Sequence, residues 1–405
     1  MPQAQAARGV FCFGEWPLRG EQIPIGILFS RSGSYSTIGE AMYAGALLAI
    51  EEVNASPEFD FVLAPRSIDP HGDIARYVEA ARSMLDDGAV KHIIGCYTSS
   101  SRKEVLPIFE KRDALLWYPS HYEGFETSDN VIYTGAAPNQ HVIPLTRYLL
   151  ENGRRRAFFI GSNYIWAWEN NRIMREALLS SGGAVCGERY FAVGETDLAA
   201  VCRQILDCRP SYVFSTLIGE SAYAFYRGFR AAAEACGIDQ PHDIPIVGCS
   251  LAEPELVRIG DAADGHLSSS VYFSTVATPE NQRFVRAWRQ RFPDLGLTSA
   301  DAEASYVAVH LLARALARAG SASLDRVRCA AAGLGFAAPQ GMVTIDPENR
   351  HCRMRPRIGR STAEGTFEII YESPAPMRPD PYLVWEADAE AFVGSTATPR
   401  LKVVR

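Results

Sequence analysis

From Ile23 onward, short apolar runs alternate with amphipathic stretches. Residues 25–30 (IGILFS) are nearly all apolar, as in a strand buried on both faces, and 39–53 carries its apolar residues at helical spacing. The alternation continues with strands predicted over 61–68, 92–95 and 115–118 and helices over 74–86 and 101–111. Such a β–α–β–α order predicts a parallel sheet with helices on both faces.

The pattern then restarts. Helices are predicted at 139–151, 169–181, 198–206 and 222–235, and strands at 157–160, 185–192, 212–215 and 244–248. A second doubly wound unit is the simplest account, with 135–139 (GAAPN) as the hinge. After 267 come a connecting strand (268–273), two long helices (280–292 and 300–319) and short strands near 342–345, 355–358 and 367–371. This tail is too small for a third domain, so it should complete the two sheets and cross between lobes more than once. The expected division is an N-terminal extension (1–22), lobe 1 (23–137 and 268–333), lobe 2 (138–267 and 334–390) and a C-terminal tail (391–405).

Composition narrows the function. The 405 residues, 47% hydrophobic and 21% charged, suit a globular protein of two lobes. A net charge of −7 leaves no basic footprint for nucleic acid, and no run of 18 apolar residues is present to enter a membrane. Residues 1–21 lack the basic start and long apolar run of a secretory leader. The nine cysteines form no C-x-x-C pair and read mostly as buried free thiols. Together these predict a cytoplasmic protein, or a periplasmic one if a leader has been removed.

Nucleotide, nucleophile and metal motifs are missing: there is no G-x-G-x-x-G after the first strand, no Walker loop, no G-x-S-x-G and no H-E-x-x-H. No catalytic residue, cofactor or metal site is therefore expected, and binding is favoured over catalysis. In open parallel sheets ligands sit beyond the carboxyl ends of the strands. The loops placed there are 30–37 (SRSGSYST), 96–101 (CYTSSS), 118–125 (YPSHYEGF), 161–168 (GSNYIWAW) and 216–221 (TLIGES). They are rich in hydroxyls and aromatic rings, which suit a small neutral polar ligand. Two readings fit them: a ligand cleft, or a helix cap at Ser99 and Ser100 with ordinary packed tyrosines. His121, Glu123 and Glu220 read as loop residues with solvated charges, and Arg154–Arg156 as a solvated edge.

The same segments carry a family resemblance. The opening GILFSRSGSYSTIGEAMYAGALLAIEEVN resembles that of the branched-chain amino acid, amide and urea binding proteins. GCYTSSSRKEVLPIFE, LLWYPSHYEGFE, APNQ, FFIGSNYIW, the strand at 212–216, PQGMVTIDPENRH and SPAPMRPDPYLV follow in order and resemble the AmiC-like amide sensors. The likeness runs from Ile23 to Trp385. It implies a periplasmic-binding type I fold: two doubly wound lobes joined by a multi-strand hinge that close on a ligand without catalysis. It implies a cytoplasmic sensor of short amides that restrains an AmiR-like antiterminator, with self-association left open. The alternative is the substrate-binding subunit of a urea or amide ABC transporter. Carried over by motif, the ligand contacts are Tyr97, Thr98 and Ser99, then Tyr118, Pro119 and Ser120, with Tyr164 and Trp166 from the second lobe and Thr216 from a strand end. Thr98, Trp117, Ser120, His121, Trp166 and Ala167 depart from the amide-sensor pattern, which leaves the ligand within the class open.

Overall fold

The structure, a computed structural model, describes residues 20–383. The N-terminal extension up to residue 19, Cys12, Trp385 and the tail 391–405 lie outside the described residues.

The first lobe runs β1 (Gln22–Leu28), α1 (Ser36–Ala55), β2 (Val62–Ile68), α2 (Ile74–Leu85), β3 (His92–Gly95), α3 (Ser99–Arg112), β4 (Leu115–Tyr118) and β5 (Val131–Tyr133). Its sheet has the order β2-β1-β3-β4-β5 with every pair parallel. β3 and β4 are buried throughout, which explains their unbroken apolar runs. The second lobe runs α4 (Val142–Glu151), β6 (Arg156–Ser162), α5 (Ile165–Ser180), β7 (Ala184–Phe191), α6 (Ala199–Cys208), β8 (Tyr212–Thr216), α7 (Gly219–Ala235), α8 (Gln240–Asp243), β9 (Ile246–Gly248), α9 (Glu253–Ile259) and β10 (Leu267–Ser270).

The chain then returns to lobe 1 for α10 (Pro279–Arg291), α11 (Ala300–Ala319) and α12 (Leu324–Ala331). α11 lies against α1 so closely that a β-carbon on Gly45 would stand 2.1 Å from the Ala302 carbonyl oxygen. The strands β11 (Gly335–Ala338), β12 (Gly341–Ile345) and β13 (Cys352–Arg353) form a small antiparallel sheet. Its residues Val343, Ile345 and Cys352 join the same apolar cluster as α1 and α11. Finally β14 (Arg357–Ser361) and β15 (Phe367–Glu372) complete the second sheet, in the order β15-β14-β10-β9-β8-β6-β7. Both are antiparallel to their neighbours, so this sheet is parallel only up to β10. The strand predicted at 268–273 as a connector is a full ladder member, β10, for its first residues.

The hinge is stapled by two neighbouring side chains. Gln140 is buried between the lobes: its amide nitrogen donates to the carbonyls of Cys352 (3.0 Å) and Met377 (2.9 Å), and its oxygen accepts from the Ala137 amide (2.9 Å). Asn139 beside it donates to the Arg378 carbonyl (2.7 Å) and accepts from the Asp380 amide (2.9 Å). The APNQ motif thus ties the first crossing to the chain near 352 and to the final segment.

The lobes are closed on each other. Trp166, Ala167, Ile218 and Ala252 of the second lobe belong to the apolar cluster built by the first. Among the described residues no helix is long and apolar enough to cross a membrane. Among the described residues eight cysteines are free thiols: Cys96, Cys202, Cys249 and Cys352 are buried, Cys186 and Cys208 half-buried, and Cys236 and Cys329 exposed.

Candidate functional site

Where β3 gives way to α3, Cys96 takes a left-handed turn (φ 47°) and Thr98 caps the helix. The Thr98 hydroxyl accepts from the Ser101 amide (3.2 Å), and its carbonyl from the Arg102 amide (3.1 Å). The first amides of an α-helix have no intrahelical acceptor, so those of Ser99 and Ser100 remain for a group beyond the helix end. Thr98 itself is part of the cap and does not line the cleft.

A small cavity, about 10 Å3 of it open to a water-sized sphere, lies between the lobes, lined by Tyr97, Ser99, Ser120 and His121 from lobe 1 and Tyr164, Trp166 and Ile218 from lobe 2. The structure brings together five of the nine residues expected as contacts: Tyr97, Ser99, Ser120, Tyr164 and Trp166. Tyr118, Pro119, Thr98 and Thr216 stand behind this wall. Tyr118 is fully buried and donates its hydroxyl to the Tyr97 carbonyl (2.9 Å), which supports the loop from below. The Thr216 hydroxyl donates to Asn171 Oδ1 (3.0 Å) and lies 3.3 Å from the Ile160 carbonyl inside lobe 2.

The aromatic wall is ordered. Tyr164 and Trp166 stack with ring centres 6.2 Å apart, and His121 meets Trp166 edge-on at 5.4 Å. Trp166 is 3% exposed, and its indole N–H finds no acceptor among the described residues. Burying such a donor costs about 1–3 kcal/mol unless something accepts from it.

Glu123 is not the solvated loop charge that the sequence suggested. It is 1% exposed and paired with Arg102, which is itself fully buried, at 3.0 Å. The Ser99 hydroxyl donates to the other Glu123 oxygen. Arg102 also binds Glu126 (2.7 Å) and lies over the rings of Tyr118 and Tyr122, 4.7 Å from each centre. Burial works against the Glu126 carboxylate, but Arg102 and Lys103 outweigh it and hold its pKa down at about 2. Arg102 lies 21 residues before Glu123 and 24 before Glu126, a separation at which no local pattern pairs them.

Beyond His121 a second small cavity, about 10 Å3 of it open to a water-sized sphere, is lined by Ser250, Glu253, Ser270, Tyr272 and Asp301 among others. Glu253 lies on lobe 2 and Asp301 at the start of α11 on lobe 1. Glu253 accepts from the Ser274 amide (2.6 Å) through one oxygen, and its other oxygen is buried without a partner among the described residues. Burial, with Asp301 adding, pushes the Glu253 carboxyl up to about 7 and that of Glu255 up to about 8. His121 Nδ1 stands 3.8 Å from the Asp301 carboxylate. Sequence reasoning missed these acids, because Glu253 and Glu255 open a short helix and Asp301 sits some 46 residues further on, so only closure of the lobes brings them together. Among the described residues no group of three His, Cys, Asp or Glu side chains is arranged to hold a metal ion.

The arrangement can therefore bind, with hydroxyls, ring faces and backbone amides. Residues 23–388 match the periplasmic binding protein domain family. The chain is 22% identical over 355 residues to Leu/Ile/Val-binding protein homolog 6 of Brucella abortus, covering 86% of this chain and 90% of that protein. Among solved structures, a solute binding protein of an ABC transporter from Rhodopseudomonas palustris, in complex with p-hydroxybenzoic acid, superposes with a TM-score of 0.80 at 18% identity, over 88% of this chain and 98% of the other. A leucine binding protein from Thermotoga maritima does so with a TM-score of 0.75 at 18% identity, over 86% of this chain and 98% of the other. The fold is the two-lobed periplasmic-binding type I fold, and the chain belongs to the periplasmic binding protein family as a ligand-binding protein, not an enzyme.

Proposed function

We propose that this protein is the substrate-binding subunit of an ABC transporter for a short neutral amide or urea-like molecule. The observation that carries this is the indole N–H of Trp166, a buried donor without an acceptor among the described residues, on the wall of a pocket otherwise built from hydroxyls and rings. A ligand carbonyl satisfies it, and the amides of Ser99 and Ser100 offer further donors to the same kind of oxygen. Only about 10 Å3 of the cavity is open to a water-sized sphere, far below the roughly 300–1,000 Å3 usual for drug-sized ligands, so the ligand is small. The buried carboxyls of Glu253, Glu255 and Asp301 next to the pocket favour N–H donors and disfavour a carboxylate such as benzoate.

A second reading, a small amino acid, is favoured by the same three acids, which could receive an ammonium group, and by relatives named as Leu/Ile/Val-binding. The regulator form of the first reading, a cytoplasmic amide sensor restraining an AmiR-like antiterminator, rests on the order of motifs alone, whereas similar solved structures include a solute binding protein of an ABC transporter.

Calorimetric titration with acetamide, propionamide, butyramide, formamide, urea, leucine and 4-hydroxybenzoate separates the readings. The amide reading predicts saturable binding of one or more amides or of urea. A short amide has about four non-hydrogen atoms, so at a ceiling of roughly 1.5 kcal/mol each the Kd is no tighter than tens of micromolar. Tight binding of leucine with no response to amides or urea sinks it.

A further inference from the structure

Resting on that amide reading, we infer that Glu123 is a specificity-determining residue: it fixes the direction of the Ser99 hydroxyl, so that the pocket accepts a primary amide and rejects the isosteric carboxylate. A serine hydroxyl has one proton and two lone pairs. In Ser99 the proton goes to Glu123, a carboxylate held by Arg102 at 3.0 Å and so an acceptor, and Arg102 Nη1 stands 3.3 Å from the Ser99 oxygen as a further donor. All three side chains are buried, so water does not compete for these positions. Towards the pocket, Ser99 therefore presents a lone pair from its side chain and an N–H from its backbone. An amide group matches both, with its NH2 on the hydroxyl oxygen and its carbonyl on the helix amides. A carboxylate has only acceptors and meets the lone pair with another. Glu123 touches no ligand in this arrangement; it acts through Ser99.

Glu123→Gln tests the direction directly. Arg102 Nη2 keeps the Gln oxygen where the Glu123 oxygen is now, which turns the Gln amide nitrogen towards Ser99. The hydroxyl then accepts from Gln and points its proton into the pocket. The experiment titrates the full chain and two variants with acetamide and with acetate, and follows thermal unfolding of each. The wild type should prefer acetamide by roughly a hundredfold or more. Glu123→Gln should bind acetamide about tenfold more weakly and acetate more tightly, bringing the ratio to within about tenfold. Loss of a negative charge alone would leave neutral acetamide unaffected, so the acetamide arm isolates the hydroxyl. Ser99→Ala keeps the Glu123–Arg102 pair and serves if Glu123→Gln unfolds: acetamide should weaken about tenfold while acetate does not weaken. A hydroxyl that donates to the ligand would instead lose acetate and acetamide alike in Ser99→Ala, and that outcome overturns the inference. A wild type that prefers acetamide while the ratio is unchanged in folded Glu123→Gln also overturns it but leaves the amide reading standing. A wild type that binds no amide, or binds acetate as well as acetamide, overturns both.

Discussion

Gly219 of the second lobe faces the carbonyl oxygen of Ser34 in the first, so closely that a β-carbon there would stand 2.0 Å from it. Gly219 is left-handed (φ 58°), and the next amide, Glu220, donates to the same Ser34 oxygen at 3.3 Å. The contact exists only with the lobes closed, and only glycine permits it. Gly219→Ala adds a left-handed strain of roughly 1–2 kcal/mol and a clash confined to the closed form. Ligand affinity should fall about tenfold or more, while the strain by itself lowers the melting temperature of the ligand-free protein by no more than a few degrees. Small-angle scattering at saturating ligand should show a larger radius of gyration than the wild type; an equal radius with equal affinity removes the contact from the closing step.

Trp166→Phe preserves the stack with Tyr164 and removes the indole N–H. If that N–H binds the ligand carbonyl, calorimetry on the best amide should show about a tenfold loss of affinity with the fold intact, since one hydrogen bond contributes roughly 0.5–1.5 kcal/mol net. An unchanged Kd assigns Trp166 to the wall alone.

The buried acids set a pH dependence of stability. The Glu255 carboxyl is raised from 4.5 to about 8 and that of Glu253 from 4.5 to about 7, both chiefly by burial. Below pH 4.5 folded and unfolded chains both hold these protons. Between there and about pH 8 the unfolded chain releases them first, so their stabilising contribution is lost as pH rises through that window. Glu255→Gln keeps a neutral group under the Tyr223 hydroxyl and should flatten this slope, melting higher than the wild type at pH 8 and nearly level with it at pH 5. Parallel curves of melting temperature against pH would remove Glu255 as the cause.

Gln140→Ala should destabilise the whole protein by about 1–3 kcal/mol, because the carbonyls of Cys352 and Met377 lose a buried donor. The urea midpoint reports it. Because the same side chain ties the crossings together, the variant should also bind the best ligand more weakly than the loss of stability alone explains. A midpoint unchanged from the wild type would show that water replaces the amide at the hinge.

Much of the fold was legible in the chain because it depends on local periodicity. The apolar runs of β3 and β4 and the amphipathic spacing of α2 are properties of a few consecutive residues, and the strand ends where ligands bind follow from the parallel order. Short elements without such a signal escaped: β5 has three residues and α9 seven, too few to show a period. The antiparallel closure of the second sheet by β14 and β15 escaped as well, since strand pattern does not encode the direction of a neighbour.

For the candidate site, the sequence by itself determined which loops carry hydroxyls and rings, and it named Tyr97, Ser99, Ser120, Tyr164 and Trp166 among the wall residues. Only the tertiary structure decided that Tyr118 turns away from the cavity to bond the Tyr97 carbonyl and Thr216 to bond Asn171, that Glu123 and Arg102 form a buried pair, and that Asp301 faces Glu253 across the closed cleft. The physical reason is that a residue's chemical type is written in the chain, whereas its desolvation and its charge partner depend on segments that only packing brings together.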